Sequence, residues 1–501
     1  MIRNLAILLA AAVIVALPFL LREPAEAGNW RVGDPVLIVV SPHNEAIRYE
    51  FARAFSEWHR ERYGAAVKIE WLNVGGTTEI SRYLQSEFVA AFRAWWVKQG
   101  QPWPAGGAAE MLARKSEKQP ELHRRFREVD DAREFTSRID LFFGGGEYDH
   151  TRAYQQGLIV SPWPGSAGPQ TLLSQIPYQM SGETWRTPYM IGTALSTFGI
   201  CYNLDRLRDL GVQSPPKRWI DLADPVYFGQ VGVADPTKSG SIAKAFEMII
   251  QQQMDKAGNV EDGWARGLRV VQLIGANARY FTDSASKVPI DVAAGDAAVG
   301  LAIDFYARFQ AQVAGQGKME FVTPLGGSSV SCDPIGLLRG APNREVAVRF
   351  IEFVISLEGQ RLWFAEPGTP GGPVKYPLCR IPIRRDVAAT LAENPYEVAQ
   401  TFHYRPEWTG GHFNVQRDLI RAMCLDSADE LKAAWRAIIA GGGPALQPAA
   451  MELMQRLPVT WGTAREVTRQ QDRLTYLREW TEFFRANYRA AEAEARKGRT
   501  A

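Results

Sequence analysis

Ser239-Gly240-Ser241 stands between a short apolar strand, Val231-Gly232-Val233-Ala234, and a helix whose Ile242, Ala245, Phe246, Ile249 and Ile250 share one buried face. Hydroxyls and backbone N–H groups at a helix N-terminus can cap the helix, or they can receive an anion that the helix dipole also favours. Gly76 and Thr77 open another helix, Gly145 lies in a glycine triplet, and Ser284 and Ser286 offer hydroxyls in a later loop. His43 with Glu45 reads either as a metal-binding pair or as a hydrogen-bonded pair in a strand-end loop. Asp304 and Tyr306 could supply hard oxygen ligands, although a Tyr at the end of an amphipathic strand also serves as a half-buried aromatic. His43, Glu45 and Tyr306 are the candidate metal ligands.

Covalent or hydrolytic chemistry is poorly provided for. The chain has no GxxxxGK[ST] phosphate loop, HExxH zinc helix or GxSxG elbow. Ser284-Ala285-Ser286-Lys287 matches SxxK, and Lys238-Ser239-Gly240 resembles a KTG triplet. The triplet precedes the SxxK, the reverse of the order such enzymes require, so the match is read as chance. Trp58, Trp95 and Trp96 occupy helical apolar positions and read as core.

These residues are positioned by alternating elements. Residues 36–40 are a continuous apolar run suited to a strand buried on both faces. Helical spacing follows over 46–63, a second strand over 67–72, and a third over 139–143 that runs into Gly144-Gly145-Gly146. Such alternation indicates a parallel α/β sheet whose loops gather on one rim. Residues 86–138, charged and broken by Pro102 and Pro104, read as a helical insertion. A second α/β unit begins near residue 194 and includes an alternating strand over 295–303. An extended stretch, 328–338, leads to a helix over 344–364, and beyond Pro377 the chain reads as mostly helical.

With 501 residues the chain can hold two or three cores. Its net charge of +2 provides no general attraction to nucleic acid. Arg3, an apolar run from Leu5 to Leu21 and Ala25-Glu26-Ala27 form a signal-peptide pattern over 1–27, with an uncleaved membrane anchor as the alternative. The expected location is periplasmic or otherwise extracytoplasmic. Cys201, Cys332, Cys379 and Cys424 would then be buried free thiols or form one or two disulfides, in a pairing the sequence leaves open.

Taken together, "SPHNEAIRYEF", "IDLFFGGGEYD", "RWIDLADPVYFGQVGVADPTKSGS", "AAGDAAVGLAIDFYA" and "NREVAVRFIEFVISLEGQRLWF", in this order, resemble bacterial extracellular solute-binding proteins of ABC importers. The branch is the one with ferric-iron, polyamine, thiamine and phosphonate or sugar-phosphate binders. The resemblance spans most of residues 36–365. It implies a two-lobed type 2 periplasmic-binding fold, with lobe 1 at 36–195, lobe 2 at 196–327, a return crossover and lobe-1 helix at 328–379 and a helical C-terminal extension at 380–501. It further implies a non-enzymatic monomer without a cofactor, which takes a small anionic solute in the interlobe cleft and delivers it to permease subunits. In ferric and phosphonate relatives the stretch matching Ser239-Gly240-Ser241 holds an anion. Ferric binders usually show adjacent tyrosines where this chain reads Phe305-Tyr306, so one phenolate is missing. Ferric iron is the alternative ligand, and a secreted hydrolase acting on phosphorylated substrates is the alternative from another class.

Overall fold

The computed structural model describes residues 30–114, 120–128, 134–391 and 394–497. The expected signal peptide at 1–27 lies outside these residues. Among the described residues no helix is long and apolar enough to cross a membrane.

The strands in chain order are β1 (Val36–Val40), β2 (Lys68–Leu72), β3 (Leu141–Phe143), β4 (Ile159–Val160), β5 (Gln179–Met180), β6 (Glu183–Thr184), β7 (Ile191–Ser196) and β8 (Phe198–Asn203). They continue as β9 (Val231–Ala234), β10 (Ala278–Thr282), β11 (Val299–Ile303), β12 (Met319–Val322), β13 (Ser331–Leu338) and β14 (Ile381–Pro382). The first sheet has the order β14-β7-β13-β3-β1-β2, with β4 also paired to β13. Its β2-β1-β3 part is parallel, and β13 joins it antiparallel to both β3 and β7. The second sheet runs β10-β9-β11-β8-β12, parallel across the first three strands and antiparallel at β8. β5 and β6 form a separate hairpin.

Every residue of β7, β8, β9 and β11 is buried, as expected of strands covered on both faces. The chain passes between the sheets twice. Thr197 separates β7 from β8, and residues 323–330 separate β12 from β13. The two links touch, with the Thr197 and Thr323 hydroxyls 3.0 Å apart and the Phe198 N–H donating to Ser328 Oγ at 2.8 Å. This is the expected two-lobed α/β architecture.

Several elements differ from their sequence reading. The extended segment over 295–303 becomes strand only at Val299, because residues 287–294 are helical and Gly295 ends that helix with φ of 82°. The helix read over 344–364 is two helices, Arg344–Val354 and Leu357–Phe364, because Ser356 caps the second one through Gly359 N–H. The helix Thr77–Lys98 runs unbroken through residue 86, so the segment read as an insertion begins as its continuation. That continuation builds a second apolar core from Phe88, Phe92, Phe126 and Phe135.

The C-terminal region is helical, with Phe413–Ile420, Ala428–Ala440, Trp461–Gln470 and Arg473–Lys497 as its longer members. It packs against the second-sheet helices Gly240–Ala257 and Val260–Ala276. Buried polar ties reinforce the apolar contact. Gln251 Nε2 donates to Thr409 Oγ1 at 2.7 Å, Gln272 Nε2 to the Tyr488 hydroxyl at 2.9 Å, and Trp435 Nε1 to Asn277 Oδ1 at 2.7 Å. All four cysteines are free thiols, which decides between the sequence alternatives; Cys201, Cys332 and Cys424 are buried and Cys379 partly so.

Candidate ligand-binding cleft

A cavity of about 870 Å³ lies where the two sheets, the crossing links and the C-terminal region meet. A volume of this order suits a small organic ligand. Several helices start at its wall, among them Thr77–Lys98, Glu147–Gln155 and Gly240–Ala257. The first N–H groups of a helix have no intrahelical acceptor, and at the caps Gly76 and Gly146 no side chain takes them. At the third, Ser239 Oγ accepts from Ile242 N–H at 3.3 Å, so the capping use of this motif is realised.

Close approach explains the glycines. A Cβ on Gly76 would sit 2.8 Å from the Lys238 carbonyl oxygen, and one on Gly240 would sit 2.8 Å from Thr77 Oγ1. The two sheets' helix starts therefore abut. Gly144 and Gly145 have φ of 97° and 96°, a conformation that only glycine adopts readily.

Of the residues singled out in the sequence, His43, Gly76, Thr77, Gly145, Ser239, Gly240, Ser241, Ser284, Ser286 and Tyr306 line this cavity. Glu45 and Asp304 do not. Glu45 is exposed in the first turn of the helix Glu45–Tyr63, and His43 turns instead to Asp333, with Nε2 2.6 Å from Oδ2. Asp304 is fully buried and accepts from the backbone N–H groups of Thr197 and Phe305 at 3.1 and 2.8 Å, so it pins the first crossing link. Burial pushes its carboxyl above the usual range. Burial likewise pushes the Tyr306 hydroxyl up to about 12, away from phenolate. Ser284 Oγ lies 2.9 Å from Ser286 Oγ while Lys287 pairs with Asp291, so SxxK here assembles no nucleophile with a base.

Sequence reasoning missed the charged residues of the cleft. Arg380 donates to Asp333 and, at 2.8 Å, to Ser196 Oγ, and its guanidinium lies 4.0 Å over the Phe305 ring. Burial opposes the charge on Asp333, but Arg380 and then His43 outweigh it and bring its pKa down to about 2. Lys244, one turn into the helix Gly240–Ala257, lies 3.1 Å from both Glu183 and Glu247 and 3.4 Å over the Tyr404 ring. Burial disfavours its charge; the two carboxylates more than offset this and hold its pKa well above the ordinary value. Asp149 sits between the helix starts, with the Thr77 and Ser81 hydroxyls on its carboxyl. Burial raises its pKa despite the lowering influence of Arg417 and Arg152. The pairs that join different elements, Asp333 with His43 and Arg380 and Lys244 with Glu183, lie far apart in sequence, so no motif announces them.

The C-terminal region also reaches the cleft, where Tyr404, Pro406, Gly410 and Phe413 form part of the wall. Among the described residues no group of three or more His, Cys, Asp or Glu is placed to hold a metal ion.

The profile of the bacterial extracellular solute-binding protein family matches residues 138–378. An uncharacterised protein of Haemophilus influenzae is 25% identical over 238 residues, which make up 46% of this chain and 62% of that protein. Phosphoglycerate transport regulatory protein PgtC of Salmonella typhimurium is 25% identical over 253 residues, 50% of this chain and 57% of its own. The chain thus spans about three fifths of the length of these relatives. Among solved structures, the fold is similar to the periplasmic binding protein AfuA from Actinobacillus pleuropneumoniae with fructose-6-phosphate bound. The TM-score is 0.50 at 16% identity, covering 73% of this chain and 93% of that one. It is also similar to iron-bound HitA from Pseudomonas aeruginosa, with a TM-score of 0.52 at 16% identity over 78% of this chain and all of that one. The profile match over 138–378 makes this stretch similar to the bacterial extracellular solute-binding proteins, and the chain as a whole has the two-lobed fold shared by the periplasmic binding proteins AfuA and HitA.

Proposed function

We propose that the cleft captures a small phosphorylated organic anion outside the cytoplasm and presents it to the permease of an ABC importer, without chemical turnover. The observation that carries this reading is the meeting of helix starts from both sheets at one cavity, with Gly76 and Gly146 among their caps. Such starts favour oxyanions through their N–H groups and dipoles together. The names of the relatives support the class: PgtC is named for phosphoglycerate transport, and AfuA holds fructose-6-phosphate.

Ferric iron is less well served, although HitA is iron-bound. A hard trivalent ion needs several anionic oxygens, whereas Phe305 replaces one phenol and burial keeps Tyr306 protonated. Hydrolysis of a phosphoester would need a nucleophile beside a base, and His43 is committed to Asp333.

Calorimetric titration with 3-phosphoglycerate, fructose 6-phosphate, inorganic phosphate and ferric citrate tests the reading. Saturable one-to-one binding of an organic phosphate, with no release of phosphate on incubation, is expected. Binding of ferric citrate alone, or phosphate release, overturns it.

A further inference from the structure

We propose that the C-terminal helical region is a third wall of the solute site, in which Phe413 selects the organic part of the solute and Arg417 holds the two sheets' helix starts in register. This rests on the reading of the cleft as the solute site. The family profile ends at residue 378, so the whole segment lies beyond it.

Two independent observations carry the inference. The first is the wall itself, where Tyr404, Pro406, Gly410 and Phe413 line the same cavity as the helix starts. A cavity of about 870 Å³ leaves most of its space for whatever is attached to a phosphate group, and Phe413 gives that remainder an apolar surface. Phe413 is itself fixed, its ring 4.9 Å from that of Tyr148 while its neighbour Asn414 donates to the Tyr148 hydroxyl at 2.7 Å. Tyr148 belongs to the helix Glu147–Gln155, which starts after a first-sheet strand.

The second is the position of Arg417. Its Nε donates to the Pro236 carbonyl at 2.6 Å, and its Nη2 donates to the Thr237 carbonyl at 2.8 Å and to Thr78 Oγ1 at 2.7 Å. Pro236 and Thr237 lead into the helix Gly240–Ala257 of the second sheet, and Thr78 stands in the first turn of the helix Thr77–Lys98 of the first. One planar guanidinium therefore joins both starts, and lysine, a point donor, cannot reproduce that fork. The C-terminal region is anchored on the second-sheet helices, so these contacts let it reach across the cleft to the first sheet.

The test uses the full chain and two probes, 3-phosphoglycerate and inorganic phosphate. Phe413→Ala is expected to weaken 3-phosphoglycerate about tenfold and to leave inorganic phosphate unchanged; Phe413→Leu, which fills more of the space, should recover most of the loss at an unchanged melting temperature. Arg417→Gln should weaken both probes, Arg417→Lys should restore little, and hydrogen exchange should quicken over residues 77–84 and 239–246 in the ligand-free protein. Equal effects of Phe413→Ala on both probes, or none on either, would overturn the wall. Unchanged exchange in Arg417→Gln would overturn the positioning role. If neither probe binds the native protein, the phosphorylated-solute reading fails. The exchange measurement still decides the role of Arg417, and a chemically mixed solute library screened by thermal shift supplies the probe for Phe413→Ala, with no shift from any solute counting against the wall.

Discussion

At the scale of single residues, the anion reading rests on donors whose ordinary use is capping. Ser239 already caps Ile242 N–H, and the same hydroxyl can turn to an incoming oxygen. Replacing Ser239 and Ser241 together by Ala should therefore cost about 1 kcal/mol of stability for the cap. It should cost binding more, about 1.5–3 kcal/mol for each hydroxyl that meets a charged oxygen. Calorimetry beside thermal melting separates the two, and a lowered melting point with intact affinity would leave only the cap. Asp149 acts in the opposite sense, because its carboxylate stands among the donors. Its folded pKa lies above the ordinary carboxylate value, so the ionised form is unfavourable above that raised pKa and the penalty fades as the pH falls through it. Anion affinity should therefore rise as the pH falls through that raised pKa. Asp149→Asn should bind more tightly at neutral pH and lose the part of the pH profile that native protein shows beyond the solute's own titration.

Among the elements, the width of the cleft is set by how closely two helix starts can approach. Gly76 has φ of −74° and ψ of 178°, which alanine adopts freely, yet an added Cβ would lie 2.8 Å from the Lys238 carbonyl. Gly76→Ala is thus a steric wedge without backbone strain. It should hold the helix starts apart, lowering solute affinity about tenfold or more while shifting the melting temperature by only a degree or two. Small-angle scattering should show a more open particle in saturating solute. An unchanged profile with native affinity would mean that the abutting starts are not what closes the site. Arg380 and Asp304 work on the other side of the cleft, tying both crossing segments through Ser196, Asp333 and Thr197.

For the molecule as a whole, the C-terminal region covers the second-sheet helices as well as forming part of the cleft wall. Gln272, buried in the helix Val260–Ala276, spends its amide on Met454 O and the Tyr488 hydroxyl, and Asn277 receives Trp435. A chain ended after Ile383 keeps Arg380 but leaves these polar groups and the apolar helix face that surrounds them uncovered. We expect it to accumulate in aggregated form, with little soluble protein at a yield where the full chain is soluble. A soluble, cooperatively melting product would show that the two lobes fold independently of the helical region.

Much of the fold was legible because it is written in short-range patterns. Apolar runs marked β1 and β9, helical spacing marked the helices Glu45–Tyr63 and Gly240–Ala257, and glycines marked the strand ends that open onto the cleft. Each of these depends on neighbours within a turn or a strand, where side-chain periodicity and backbone sterics act. The donor residues at helix starts were legible for the same reason. The charged lining was not: His43 meets Asp333 across 290 residues, Arg417 meets Thr78 across 339, and Glu183 meets Lys244 from a hairpin that carried no signal of its own. Glu45 shows the converse, lying two residues from His43 yet facing solvent. The sequence alone determined which segments could become strands, helices and donor-rich starts. Only the tertiary structure decided which charges are neutralised and what forms the third wall, because buried ions find their partners through sheet order and helix packing, which bring together residues that share no local pattern.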